Sequence, residues 1–118
     1  MKTLIHDLIG TNCITLDDGQ QVYKTIHPEL TAGRPVELDF DQVEIFASPF
    51  FNAAIGQLLK DIAPDDLNRL LAFHGLNANG QAVMRRVIEN SKRYYHEPEF
   101  RKNLDDIFLE QSKELQWQ

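Results

Sequence analysis

The chain has 118 residues, of which 42% are hydrophobic, a formal charge of −6 and a single cysteine, Cys13. That length and apolar content suffice for one core without covalent staples, and a lone cysteine excludes an internal disulfide. The acidic balance disfavours nucleic acid as a partner, and the N-terminal stretch is too short and polar for a signal peptide or membrane span, so a cytoplasmic protein is expected.

Residues 3 to 9 are apolar enough for an edge strand or a short extended arm. Cys13 to Leu16 alternates ahead of the turn signal Asp17-Asp-Gly19, which suggests a first hairpin-like pair. From Gln20 onward, Val22, Tyr23, Ile26 and Leu30 take helical spacing, and Pro28 is expected to bend or shorten that helix before Thr31-Ala-Gly33 ends it. Val36, Leu38 and Phe40 then alternate with Glu37 and Asp39, as a half-buried strand requires. A second short apolar run, Val43 to Phe46, follows the polar turn Asp41-Gln42.

The period changes abruptly at Ala47-Ser48-Pro49. Phe51, Ile55, Leu58, Leu59 and Ile62 follow one helix face, Pro49 suits the first helical position, and Ser48 is placed to cap it. Phe46, Phe50 and Phe51 cannot all share one face of that helix. Either one stays accessible as a partner anchor or all lie buried beneath the N-terminal arm, and burial is the simpler account. Further on, Pro64-Asp-Asp66 supplies a turn or helix start, and Leu70 to Leu76 suits a buried strand. Asn77-Ala-Asn-Gly80 reads as a strand-to-helix turn with Asn79 as cap. Val83, Met84, Val87, Ile88 and Tyr95 mark one face of a long helix stopped by Glu97-Pro98. Residues 99 to 117 form a last helical segment in which Phe100, Leu104, Ile107, Phe108, Leu115 and Trp117 are the packing candidates. The order of elements predicts an α/β protein with a mixed sheet covered by helices. One domain spans residues 1–98, and a C-terminal helix, 99–118, packs on it or extends it.

Five stretches carry a resemblance: Gly10-Thr-Asn-Cys13, Asp18-Gly19, the Val36-to-Phe40 strand, Phe46-Ala-Ser-Pro-Phe-Phe-Asn-Ala-Ala-Ile-Gly56 and Leu76-Asn-Ala-Asn-Gly80. Together they resemble the STAS-like family, in its small bacterial branch of unknown function related to anti-sigma factor antagonists. The resemblance implies a non-catalytic regulatory module without a cofactor, docking on a protein partner such as an anti-sigma factor or a histidine-kinase-like ATPase. Asp39, Asp41, Pro49, Phe50 and Asn52 are the implied contact candidates. In phosphorylatable relatives, a serine at the start of the helix after the central strand is modified, and Ser48 stands at that place. The usual motif there is Asp-Ser-Ser/Thr-Gly, whereas this chain has Ala47-Ser48-Pro49-Phe50. A helix cap is therefore the simpler account of Ser48.

Other chemistry is thinly represented. His6, His27, His74 and His96 have no zinc spacing, and neither a phosphate-binding glycine loop nor a nucleophile elbow is present. An alternative of a different class is a small nucleotide-binding protein or enzyme using a polar rim of Asp39, Asp41, Ser48 and Asn52 with His74. Arg85-Arg86 and Lys92-Arg93, followed by Tyr94-Tyr95, read as a solvated helix face rather than a nucleic-acid surface. A third reading is a homo-oligomer held together through the aromatic C-terminal segment.

Overall fold

The computed structural model of the chain describes residues 1–96, so the last helical segment and the boundary at Pro98 lie outside the described residues. Three strands form the larger sheet in the order β1 (Lys2–Leu4), β3 (Val36–Asp39), β5 (Leu71–His74). A second pair, β2 (Asn12–Cys13) and β4 (Ile45–Phe46), stands apart as its own sheet. The architecture is α/β as expected, but each pairing is parallel where a mixed sheet was anticipated. Parallel neighbours need a crossover, and helices supply each one. The hairpin expected after Cys13 is accordingly absent: Leu16 begins α2 (Leu16–Thr31), and the Asp17-Asp-Gly19 signal is the first turn of that helix. Thr15 caps it, its hydroxyl accepting from the Asp18 amide at 3.1 Å. Acids following a cap favour helix over turn, because they complement the positive end of the dipole.

Residues 3 to 9 divide into β1, on the edge of its sheet, and a short helix α1 (Ile5–Ile9). Pro28 neither shortens nor ends α2. The exposed proline removes one backbone hydrogen bond, while the continuous buried face Val22, Ile26 and Leu30 holds the helix on both sides of it. The helix expected from Pro49 to Ile62 is broken at Ile55: α3 (Ser48–Ala54) gives way to a 3-10 segment, Gly56–Lys60. After α4 (Pro64–Leu70) and β5, the long helix α5 (Ala78–His96) closes the described chain. Its cap is Asn77 rather than Asn79, with the Asn77 Oδ1 accepting from the Gly80 amide at 2.8 Å.

Helices cover one face of the larger sheet. Val36, Leu38 and Leu71 point into the core, whereas Lys2, Leu4, Glu37, Ala72 and His74 face solvent, as the period-two alternation demands. An aromatic cluster joins the two sheets from beneath. Phe40, following β3, lies 6.0 Å from Phe46 of β4, 6.0 Å from Phe51 of α3 and 6.4 Å from Phe73 of β5, ring centre to ring centre. Phe46 and Phe51 stack at 5.7 Å, and Phe50 meets Phe51 edge-on at 5.3 Å. Contacts of this kind add about 0.5–1.5 kcal/mol each beyond the area they bury. Phe46, Phe50 and Phe51 are all buried, so none is an accessible anchor.

Candidate functional site

Ser48 is positioned by strand pairing followed by an abrupt helix start. β2 and β4 run in register, Asn12 opposite Ile45 and Cys13 opposite Phe46. The Glu44 amide donates to the Thr11 carbonyl and the Ala47 amide to the Cys13 carbonyl, each at 2.9 Å. Paired residues in a sheet share a face, so Cys13 and Phe46 point inward while Asn12 and Ile45 point out. The chain stays extended through Thr15 and Ala47, and both strands then turn into helices, α2 and α3, that lie against each other. Gly19 permits that approach: a Cβ there would meet the Phe50 carbonyl and come within 2.7 Å of Ala53 Cβ. Two strand ends and two helix starts therefore sit side by side at one place on the surface.

Ser48 is the first helical residue and Ala47 occupies the cap position, with no side-chain hydrogen bond made there. The capping role expected of Ser48 is thus not the one it has. Ser48 is half-buried and Pro49, within the first two helical positions, is exposed. Around them are three large apolar side chains that the sequence reading did not single out: Ile14, 39% exposed, Leu16, 55%, and Ile45, 49%. Their signal was present, since Ile14 alternates with Cys13 and Ile45 with Phe46, but only the strand pairing shows which member of each couple faces water. Asp17 and Glu44 are exposed beside this apolar surface, and Asp18 is half-buried there. Beneath it, burial and then the Asp18 carboxylate push the Cys13 thiol up to about 12, leaving it protonated and inert.

The remaining candidates separate. Asp39 ends β3, where its Oδ1 accepts from the Asp41 amide at 2.9 Å and its Oδ2 lies 3.7 Å from Lys2 Nζ. This Asx turn precedes Gln42, whose φ is 70°, and the turn after β5 packs on it at Gly75, φ 76°. His74 is exposed, with Nε2 3.9 Å from Glu37 Oε2. No hydrogen bond or ion pair joins Ser48 or Asn52 to Asp39, Asp41 or His74, so the polar rim is not assembled by contacts. Two cavities of about 460 and 290 Å³ open beside α5, and neither is lined by any of these five residues. Phe50, also a contact candidate, is fully buried and cannot reach a partner, whereas Pro49 and Asn52 are exposed. Among the described residues, no group of three metal-ligating side chains converges, and no helix is long and apolar enough to cross a membrane.

Compared with known protein families, residues 18–81 match the model described as STAS-like domain of unknown function (DUF4325). No curated protein and no solved structure matches the chain.

Proposed function

The chain belongs to the family of STAS-like domains of unknown function, and on that premise we propose that it is a non-catalytic regulatory module that docks on a protein partner. The observation that carries this reading is the apolar surface of Ile14, Leu16 and Ile45 beside Ser48 and Pro49. Burying three such side chains at the centre of an interface contributes affinity, and the exposed acids around them favour a partner with a basic rim. By analogy with anti-sigma factor antagonists, the partner is an anti-sigma factor or a histidine-kinase-like ATPase.

Ser48 is the phosphoacceptor in this reading. Its hydroxyl is not committed to a cap, and phosphate there would place about −1.5 to −2 charges within an apolar contact surface, where desolvation opposes docking. Capture from native lysate with wild type and Ser48→Glu, with mass spectrometry of bound proteins and of Ser48, tests the proposal. A partner held by wild type and lost by Ser48→Glu, with phosphate found on Ser48, is the expected result. Equal capture by both proteins, with Ser48 unmodified, would remove the switch and leave a constitutive adaptor.

A further inference from the structure

A groove follows α5 on the side of β5, and it shares no lining residue with the docking surface described above. The two cavities beside α5 have Phe73, Ile88 and Lys92 as common lining, so they form one continuous depression. Its floor is apolar: Phe73, Leu76, Met84 and Ile88 pack against the core yet remain only half-buried. Its rim is charged, with Arg85, Glu89 and Lys92 on α5 and Asp65 in the first turn of α4, and all four are exposed. Among the described residues, none of these four side chains makes an ion pair or a hydrogen bond. β5 is also the outer strand of its sheet, so the groove lies along an uncovered edge.

We infer that two copies of this chain pair groove to groove across a two-fold axis, with α5 of one copy antiparallel to α5 of the other. The order of the rim charges carries the inference. Arg85, Glu89 and Lys92 follow one another over about 10 Å of α5, at 1.5 Å per residue. Arg85 and Glu89 line the first cavity only, Lys92 lines both, and Asp65 lines the second only. Along the groove the signs therefore run plus, minus, plus, minus, with no net charge. A ligand of strong single sign would meet a repelling group for every attracting one. A two-fold axis instead reverses the sequence and lays a cation against each acid: Arg85 of either copy faces Asp65 of the other, and Glu89 faces Lys92 in both directions. Phe73 and Ile88, the lining common to the two cavities, fall midway along it. An apolar centre inside a charged rim is the anatomy of a protein contact, and α5 supplies both the wall of its own groove and the ridge that enters the other copy's.

Sedimentation equilibrium of the full chain tests the pairing. Wild type should show a monomer-to-dimer equilibrium. Glu89→Lys and Lys92→Glu should each weaken the dimer about tenfold, because symmetry makes every reversal set like charges together twice. The double variant Glu89→Lys/Lys92→Glu restores opposite signs and should return the affinity to within about threefold of wild type. Both positions are exposed, so each variant should keep its fold by circular dichroism. A wild type that stays monomeric up to about 1 mM, single reversals without effect, or a double variant that fails to recover would each overturn the inference. A dimer lost by Ile45→Asp yet untouched by the reversals would place the contact on the β2-β4 surface and overturn it as well.

Discussion

On the open face of the β1-β3-β5 sheet, Lys2 lies 3.7 Å from Asp39 and His74 3.9 Å from Glu37, and Leu4 stands in register with Asp39. On the open face of the β2-β4 pair, Asn12 stands with Ile14 and Ile45, and Leu16 follows where α2 begins. Both faces are left uncovered by helices, but the first sets a single large apolar side chain of its strands, Leu4, among charged and polar neighbours, whereas the second gathers Ile14, Leu16 and Ile45 together. The Lys2–Asp39 pair at this surface contributes little stability, about 0–1 kcal/mol. The second face gains nothing from solvent, and it is the surface on which the proposed docking rests.

Beneath both faces lies the same aromatic cluster, and the largest expected effect falls there. Phe51→Ala removes a buried ring that contacts Phe40, Phe46 and Phe50, and is expected to cost about 3–5 kcal/mol in urea unfolding. A smaller loss would mean that the two sheets are not coupled through this cluster. Next in size, Gly19→Ala forces α2 away from α3 and should cost about 1–3 kcal/mol, since its Cβ meets backbone as well as Ala53. Thermal unfolding unchanged by that variant would contradict the close approach of the helices under the docking surface.

The β2-β4 sheet also predicts a pH dependence. The folded Cys13 thiol is held up at about 12 against an ordinary value of 9.0, so the folded state keeps a proton that the unfolded state releases. Its contribution is full below 9.0 and falls as pH rises through the alkaline range. Cys13→Ala should flatten the stability profile between pH 9 and 11 relative to wild type, as read by denaturant titration; parallel profiles would contradict the burial of this thiol. Among the smallest effects, Asn77→Ala should cost about 1 kcal/mol as a lost cap, whereas Ser48→Ala should stay within about 0.5 kcal/mol. Equal losses in the two variants would show that Ser48 caps after all.

Much of this organisation was legible beforehand. The strand at Val36 to Phe40, the helix start at Pro49, the strand within Leu70 to Leu76 and the long helix ending the described chain all announced themselves by period and by proline. What was missed turns on long-range partners. Cys13 to Leu16 alternates like a strand, but only pairing with β4 shows that its extended part is brief and that Leu16 already belongs to a helix. Asn77 outranks Asn79 as a cap because its Nδ2 also donates to the Glu44 carbonyl, 33 residues away in sequence. Ser48 looked like a cap because its residue type suits one; the backbone places Ala47 in that position instead. The apolar surface was hidden for the same reason: alternation gives two faces, and only tertiary packing assigns one of them to water.

The most direct test sets the two open faces against each other. Ile45→Asp on one and Glu37→Lys on the other are both exposed substitutions, so each protein should remain folded by circular dichroism. In side-by-side capture from native lysate, the account predicts that the partner held by wild type is retained by Glu37→Lys and lost by Ile45→Asp. Retention by Ile45→Asp with loss by Glu37→Lys would move the docking surface to the larger sheet and contradict the account.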